Sequence, residues 1–271
     1  LLAGGVSTLL PDDRVMSRQR IGLVEVKGMI TDASETIRQI SKFRKDSSIR
    51  GIVLRIDSPG GAVAPSQEIY SEVLKLKSQK KVFASMGSVA ASGGYYIASA
   101  ADQIIANPGT LTGSIGVIMT FANVEQLMGK IGLRPETLKS GKFKDTGSPT
   151  RPMTPEERKL LQSVIDNVYD QFVSAVAKGR KMEVDKVKEL ADGRIYTGKQ
   201  AFDLKLVDRL GSLEDTISMM GKAVGIEGEP KVVQEKPSRG IFDLLMEGSL
   251  SERVMGSIAP QFPLLQYLWT L

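Results

Sequence analysis

Two apolar strands, each running into a glycine turn and then a helix, constrain this chain more than any other feature. Ile52–Ile56 leads through Ser58-Pro59-Gly60-Gly61 into an amphipathic run at Ser66–Gln79, and Val82–Met86 leads through a small-residue loop and Ser92-Gly93-Gly94 into Tyr95–Ala100. Strands separated by helices cross over in the right-handed sense and lie parallel. The predicted class is therefore α/β, built from repeated strand–helix crossover units on a largely parallel sheet. Paired glycines after a strand let the backbone approach a ligand and aim its amides at it. A serine at the second junction stands beside unpaired N–H groups at the positive end of a helix, where a developing oxyanion is stabilised. Read blandly, Ser92 is an N-cap, since serine is a preferred capping residue, and a lone Pro-Gly pair marks an ordinary turn.

Composition narrows the chemistry. The 271 residues contain no cysteine and no histidine. Disulfides, a thiol nucleophile and thiolate or imidazole metal sites are excluded, and with them the Ser-His-Asp arrangement. No metal or cofactor is expected. A side chain that activates Ser92 must be Lys, Tyr or a carboxylate, and Lys is the best precedented partner. The net charge of +5 suits work beside an anionic lipid surface. Nucleic acid is not an expected partner, because no dense Lys/Arg run with interleaved aromatics occurs.

Taken in order, residues 1–20 read as a linker, because they mix Gly, Ser, Pro and charge without a sustained period. Ile21–Ile30 alternates and reads as a strand. Thr31-Asp32 offers caps to a helix whose Ile37, Ile40 and Phe43 share one face. Asp102–Asn107 and Ser114–Phe121 read as strands, Asn123–Gly132 as a helix, and Arg134–Gly141 as a strand entering a polar loop with Lys142 and Lys144. Thr154-Pro155-Glu156-Glu157 is a capping box that opens a long helix, with Leu160, Leu161, Val164, Val168 and Phe172 on its apolar face. Shorter helices follow at Lys186–Ala191, near Lys199 and at Leu213–Val224. Residues 21–226 form the predicted domain. Residues 227–271 form an extension, with a possible strand at Lys231–Lys236, that packs on the body or on a neighbouring subunit.

The segments SPGG, AASGGYYIA, LTGSIGV (Leu111–Val117) and SGKFKD (Ser140–Asp145) occur in this order and at matching spacing. Together they resemble the short, single-repeat form of bacterial signal peptide peptidase A, a serine protease family of the Clp protease/crotonase-like fold. The resemblance runs from about Ile21 to Gly225. It implies a serine endopeptidase that degrades remnant signal peptides and other hydrophobic peptides through an acyl-enzyme. Ser92 would be the nucleophile, Lys144 the general base with Lys142 as the fallback, and Ser114 the residue that orients the lysine amine. Backbone N–H groups of Gly60, Gly61 and Gly93 would line the oxyanion hole. Ala84, Val89, Ala90 and Ile118 suggest an apolar substrate slot. The family also implies an N-terminal anchor in the bacterial inner (cytoplasmic) membrane, with the catalytic domain on the extracytoplasmic side, so that residues 1–20 would be a juxtamembrane linker after a removed membrane anchor. It implies a homo-oligomer in which neighbouring subunits share each site. Such sharing meets a physical need: a lysine base must be uncharged, so an ordinary amine pKa of about 10.4 has to fall by roughly three units, which an open loop cannot supply.

Two other classes fit the same fold. Crotonase relatives hold a thioester enolate with glycine amides, but no well-placed Glu pair stands at these glycine turns. A membrane scaffold with a degenerate site is opposed by the filled motif positions.

Overall fold

In the computed structural model of this chain the described residues are 19–235 and 266–268. Strands β1 (Arg20–Lys27), β2 (Ile49–Ser58) and β4 (Lys81–Ala91) run parallel at the centre of an eight-stranded sheet, and β3 (Gly60–Ala62) leaves the end of β2. The sheet divides along β4. Its first half pairs with β5 (Gln103–Ala106), and its second half pairs with β6 (Leu111–Gly113), both in parallel. Beyond these lie β7 (Ile195–Thr197), antiparallel to β6, and β8 (Arg209–Leu210), parallel to β5.

Helices cover both faces, which explains why β2 and β4 read as almost unbroken apolar runs. Helices α1 (Ser34–Lys45), α2 (Val63–Lys77), α3 (Gly93–Ala98) and, past the exposed α4 (Glu125–Lys130), α5 (Pro155–Arg180) contribute to one core. That core takes Ile52, Leu54, Ile56, Val82, Ala84 and Met86 from the sheet. The short helices α6 (Val184–Leu190) and α7 (Gly198–Asp203) lead to α8 (Leu213–Ala223), whose Ile217 and Met220 cover Ile21, Leu23, Val53, Phe83 and Ile105 on the opposite face. The alternation along each strand divides its residues between the two cores.

Several expectations are corrected. The small-residue loop before Ser92 is instead the second half of β4. It looks loop-like because Gly87–Val89 bulge opposite the single residue Asp57, with Met86 beside Ile56 and Ala90 beside Ser58. Asp57 Oδ1 accepts from Val89 N at 3.1 Å and fastens the bulge. The strand expected at Ser114–Phe121 ends where that stretch begins: β6 is Leu111–Gly113, and Ser114, with φ of 49°, turns the chain out of the sheet. Arg134–Gly141 forms no strand and lies exposed, unpaired with any strand among the described residues. Helix α5 does carry the capping box between Thr154 and Glu157. Its apolar face is nonetheless split, since Val168 and Phe172 are buried while Leu160 and Val164 are 40% and 37% exposed. Helix α1 has no side-chain cap at its first turn proper; Asp32 Oδ1 accepts from Ser34 N at 2.9 Å instead.

In the expected C-terminal extension, β9 (Lys231–Gln234) joins the main sheet beside β1, and β10 (Gln266–Leu268) lies antiparallel on β3. The rest of that extension from residue 236, and nearly all of the expected linker at 1–20, lie outside the described residues.

Candidate active site

The β4 bulge decides where Ser92 sits. By setting Ala90 beside Ser58 it carries the following serine to the glycine turn at the end of β2. Ser92 itself has φ of 51° and ψ of −115°, a conformation that costs a non-glycine residue of order 1–3 kcal/mol and is tolerated where the surroundings over-determine it. Two bonds hold it there: its N–H donates to the Gly113 carbonyl and its own carbonyl accepts from Tyr96 N, both at 2.8 Å. Although Ser92 occupies the N-cap position of α3, its side chain makes no capping hydrogen bond. The hydroxyl is buried and has no partner among the described residues. The capping explanation therefore fails, and a buried orphan hydroxyl at a strained turn requires another one.

Three glycine backbones converge on this serine. A Cβ on Gly60, whose φ is +102°, would lie 2.0 Å from the Tyr267 carbonyl oxygen and 2.7 Å from Gly93 N. A Cβ on Gly93 would lie 3.3 Å from Gly61 N. No side chain fits in that space. Gly60 N donates to Ser58 Oγ at 3.0 Å, so that amide is already engaged. Ile30 N donates to the Gly60 carbonyl at 2.9 Å, and Ala62 N to the Ile30 carbonyl at 2.8 Å. With those groups turned toward Ile30, the Gly61 N–H and C=O face the other edge of β3, where Tyr267 is its register partner.

Ser114 stands close by. Ala91 pairs with Gly113, so Ser92 and Ser114 leave adjacent parallel strands at the same level, both with φ near 50°. Ser114 is 6% exposed, and its N–H donates to the Arg194 carbonyl at 2.8 Å. The lysines are elsewhere. Lys144 lies in an exposed turn in which its N–H donates to the Gly141 carbonyl at 3.1 Å. Lys142 pairs with Glu156 and lies over the Phe143 ring. Because the Ser92 hydroxyl is unpartnered, neither amine reaches it within this protomer.

The turn that carries Lys144 is clamped. Asp145 accepts from Lys139 Nζ at 2.6 Å and Arg151 Nε at 2.9 Å. Arg151 also forks onto Glu157, at 2.9 and 2.5 Å, and Glu157 closes the α5 capping box. Hydrogen bonds from Arg151 and then Lys139 hold the Asp145 carboxyl well below the usual carboxylate range. Those from Arg151 and then the Thr154 amide push Glu157 down to about 2.

The proposed apolar slot does not form as expected. Ala84 and Ala90 are fully buried in the core, Val89 is half-buried, and Ile118 is 41% exposed. The core absorbs small apolar residues on the faces of a central strand. Sequence reasoning missed an aromatic cluster instead. The ring of Tyr267 stacks on Tyr96 at 5.2 Å and tilts against Phe172 at 4.7 Å, with its hydroxyl donating to the Val168 carbonyl. Tyr70 closes on Tyr96 at 4.7 Å. Burial pushes the Tyr96 phenol up to about 12 and raises that of Tyr267 as well, so the cluster stays uncharged at physiological pH. The aromatic pair in Gln266-Tyr267-Leu268-Trp269 was the one available signal, and nothing in its periodicity links it to β3.

Comparison with known proteins bears on this arrangement. The family model described as Peptidase family S49 matches residues 74–227, and that described as Clp protease matches residues 10–111. A putative protease of Synechocystis is 45% identical over 215 residues, covering 79% of this chain and 78% of that protein. A putative signal peptide peptidase SppA of Enterococcus faecium is 40% identical over 220 residues, covering 76% of this chain and 64% of that protein. A putative protease of Methanocaldococcus jannaschii is 36% identical over 215 residues, covering 79% of this chain and 69% of that protein.

The clamp predicts a pH signature. Both carboxyls titrate lower in the folded state than the ordinary value of about 4, so their stabilisation is complete above that value. It is lost as pH falls toward about 2, through the folded value of Glu157. Melting temperatures of the parent should therefore drop more steeply than those of Arg151→Ala across that acid window. Parallel curves would show that the clamp adds nothing.

Proposed function

The chain belongs to peptidase family S49, and from that premise we propose that it is a serine endopeptidase that uses Ser92 and Lys144 to cut hydrophobic peptides, remnant signal peptides among them. The observation that carries this reading is the buried, unpartnered Ser92 hydroxyl beside converging glycine amides. In the proposed reaction Ser92 Oγ attacks the scissile carbonyl carbon while Lys144 Nζ takes its proton. The carbonyl π pair moves onto oxygen and is held by the N–H groups of Gly61 and Gly93. The C–N bond then breaks as the lysine ammonium returns the proton to the leaving amine, and an acyl-enzyme remains. Water, deprotonated by the same amine, releases the acid and restores Ser92. Ser114, level with the nucleophile, would orient the amine.

The contrast between a buried, unpartnered Ser92 hydroxyl and an exposed Lys144 favours a shared site. Large apolar side chains crowd the same exposed stretch as Lys144: Leu127, Ile131 and Leu133 are 60%, 63% and 52% exposed, Leu138 is 100% exposed, and Phe143 is 44% exposed. A neighbouring copy that covers them would dehydrate the lysine as it brings the amine to Ser92. On the same reading the catalytic domain would work on the extracytoplasmic side of a bacterial inner membrane, held by an N-terminal anchor.

Strand β10 supports a binding mode. It adds antiparallel to the edge of β3, so the Tyr267 carbonyl lies against Gly60 and its ring enters the Tyr70–Tyr96–Phe172 cluster. A peptide laid in the same way would present a backbone carbonyl to the glycine amides and an aromatic or large apolar side chain to that cluster.

Three outcomes are expected. Ser92→Ala should abolish both cleavage of a fluorogenic hydrophobic peptide and labelling by a serine-reactive phosphonate; residual labelling would remove Ser92 from the mechanism. Ser92→Ala and Lys144→Ala, each inactive alone, should recover activity when co-assembled, whereas a site contained in one subunit leaves the mixture dead. Tyr267→Ala should raise the turnover of an added peptide by vacating β3, and an unchanged rate would mean that β10 does not compete with substrate.

A further inference from the structure

Ser58 ends β2, is fully buried, and is separated from the nucleophile in sequence by the whole of α2 and β4. Its hydroxyl oxygen accepts the Gly60 N–H at 3.0 Å. Resting on the reading of Ser92 as nucleophile, we infer that Ser58 is a positioning residue for the oxyanion donors: it fixes the Gly60 peptide so that the Gly61 N–H points at the reacting carbonyl.

Two peptide planes meet at Gly60. The Gly60–Gly61 plane is pinned at its carbonyl by Ile30 N at 2.9 Å. A planar trans peptide then sends the Gly61 N–H to the opposite edge, which is the edge that faces Gly93 and β10. The Pro59–Gly60 plane is pinned at its N–H by Ser58 Oγ. Between them Gly60 sits at φ of +102°, a region that glycine enters freely and leaves as freely. Glycine gives the turn its shape and no stiffness. With Ile30 holding one side only, rotation at Gly60 would swing the donor, and a buried N–H without an acceptor would drive that rotation. The Ser58 hydroxyl removes the drive. A second buried serine finishes the cradle from below: Ser66 Oγ donates to the Ala62 carbonyl at 2.9 Å and lies 2.7 Å from the position of a Gly93 Cβ. The β4 bulge keeps Ser58 in register, since Ala90 is its partner two residues before the nucleophile.

The test separates oxyanion binding from substrate binding. Ser58→Ala should lower kcat by about tenfold to a hundredfold, toward the loss seen when an oxyanion donor is removed outright, with KM within about twofold. Affinity for a peptide aldehyde, whose hemiacetal with serine carries the oxyanion, should fall by the same factor. Binding of uncleaved fluorescent peptide should be equal in Ser92→Ala and in Ser58→Ala/Ser92→Ala. Ser58→Cys, which keeps the shape but accepts hydrogen bonds weakly, should fall between parent and alanine variant, and it serves alone if Ser58→Ala does not fold. The inference is overturned if kcat stays within about threefold of the parent, or if uncleaved peptide and aldehyde lose affinity together. If phosphonate labels Ser92 in the parent while kcat is unmoved in Ser58→Ala, the positioning role falls and the protease reading stands. Absence of label in the parent overturns both.

Discussion

The approach of two chain segments without side chains governs this molecule. Gly60 at the end of one crossover unit and Gly93 at the start of the next helix come so close that a Cβ on Gly60 would lie 2.7 Å from Gly93 N, while one on the adjoining Gly61 would strike the Ile30 backbone. The contact places backbone donors around a single point, and it requires both turns to be rigid. Rigidity comes from the sheet. Parallel pairing of β2 with β4 and of β4 with β6 fixes the two strand ends, and the Asp57-fastened bulge adjusts their relative height. The strain at Ser92 is affordable because its N–H and carbonyl are both bound to neighbours that cannot move independently. The hydroxyl, the one group of that residue left unpaired, is therefore held in a fixed place.

How much of this was legible in the sequence depends on where the partner of each element comes from. Strands β2 and β4 and helix α1 are dictated locally, by apolar runs and by Ile40 and Phe43 falling on one face. The capping box at Thr154 likewise needs only its own four residues. Ser114–Phe121 and Arg134–Gly141 have strand-like composition, yet a strand exists only against an edge, and among the described residues neither stretch pairs with one as a strand. The split face of α5 has the same origin: Val168 and Phe172 meet the core, while Leu160 and Val164 extend beyond it. In the candidate site, Ser92 and the glycines were readable from spacing, because a strand–turn–helix unit places them directly. Ala84 was misread as pocket because small apolar residues suit a core strand equally well. Ser58 as an acceptor and the aromatic cluster with Tyr267 were not readable, since each needs a long-range contact that no period encodes.

Ser92 and Lys144 divide along the same line between buried and open structure. Ser92 is buried and over-determined by its neighbours; Lys144 stands on an open turn. That turn is not loose, because Lys139, Asp145, Arg151 and Glu157 tie it to the first turn of a 26-residue helix. The turn is thus a rigid carrier that holds the Lys144 side chain out from the body of the molecule.

Strand addition at β3 joins two kinds of contact. Main-chain pairing to Gly61 reads no side chain. The cluster around Tyr96, by contrast, is uncharged and walled by aromatic rings. An ionised residue entering it would lose its hydration without gaining a counter-charge, whereas a large apolar or aromatic one exchanges water for ring contacts. The chain's own Tyr267 meets the same criteria, which explains why this segment, from the far end of the sequence, can close over the glycine turn. Because this intrinsic strand occupies the edge of β3, any other segment that pairs there must first displace it and meet the free-energy cost of doing so.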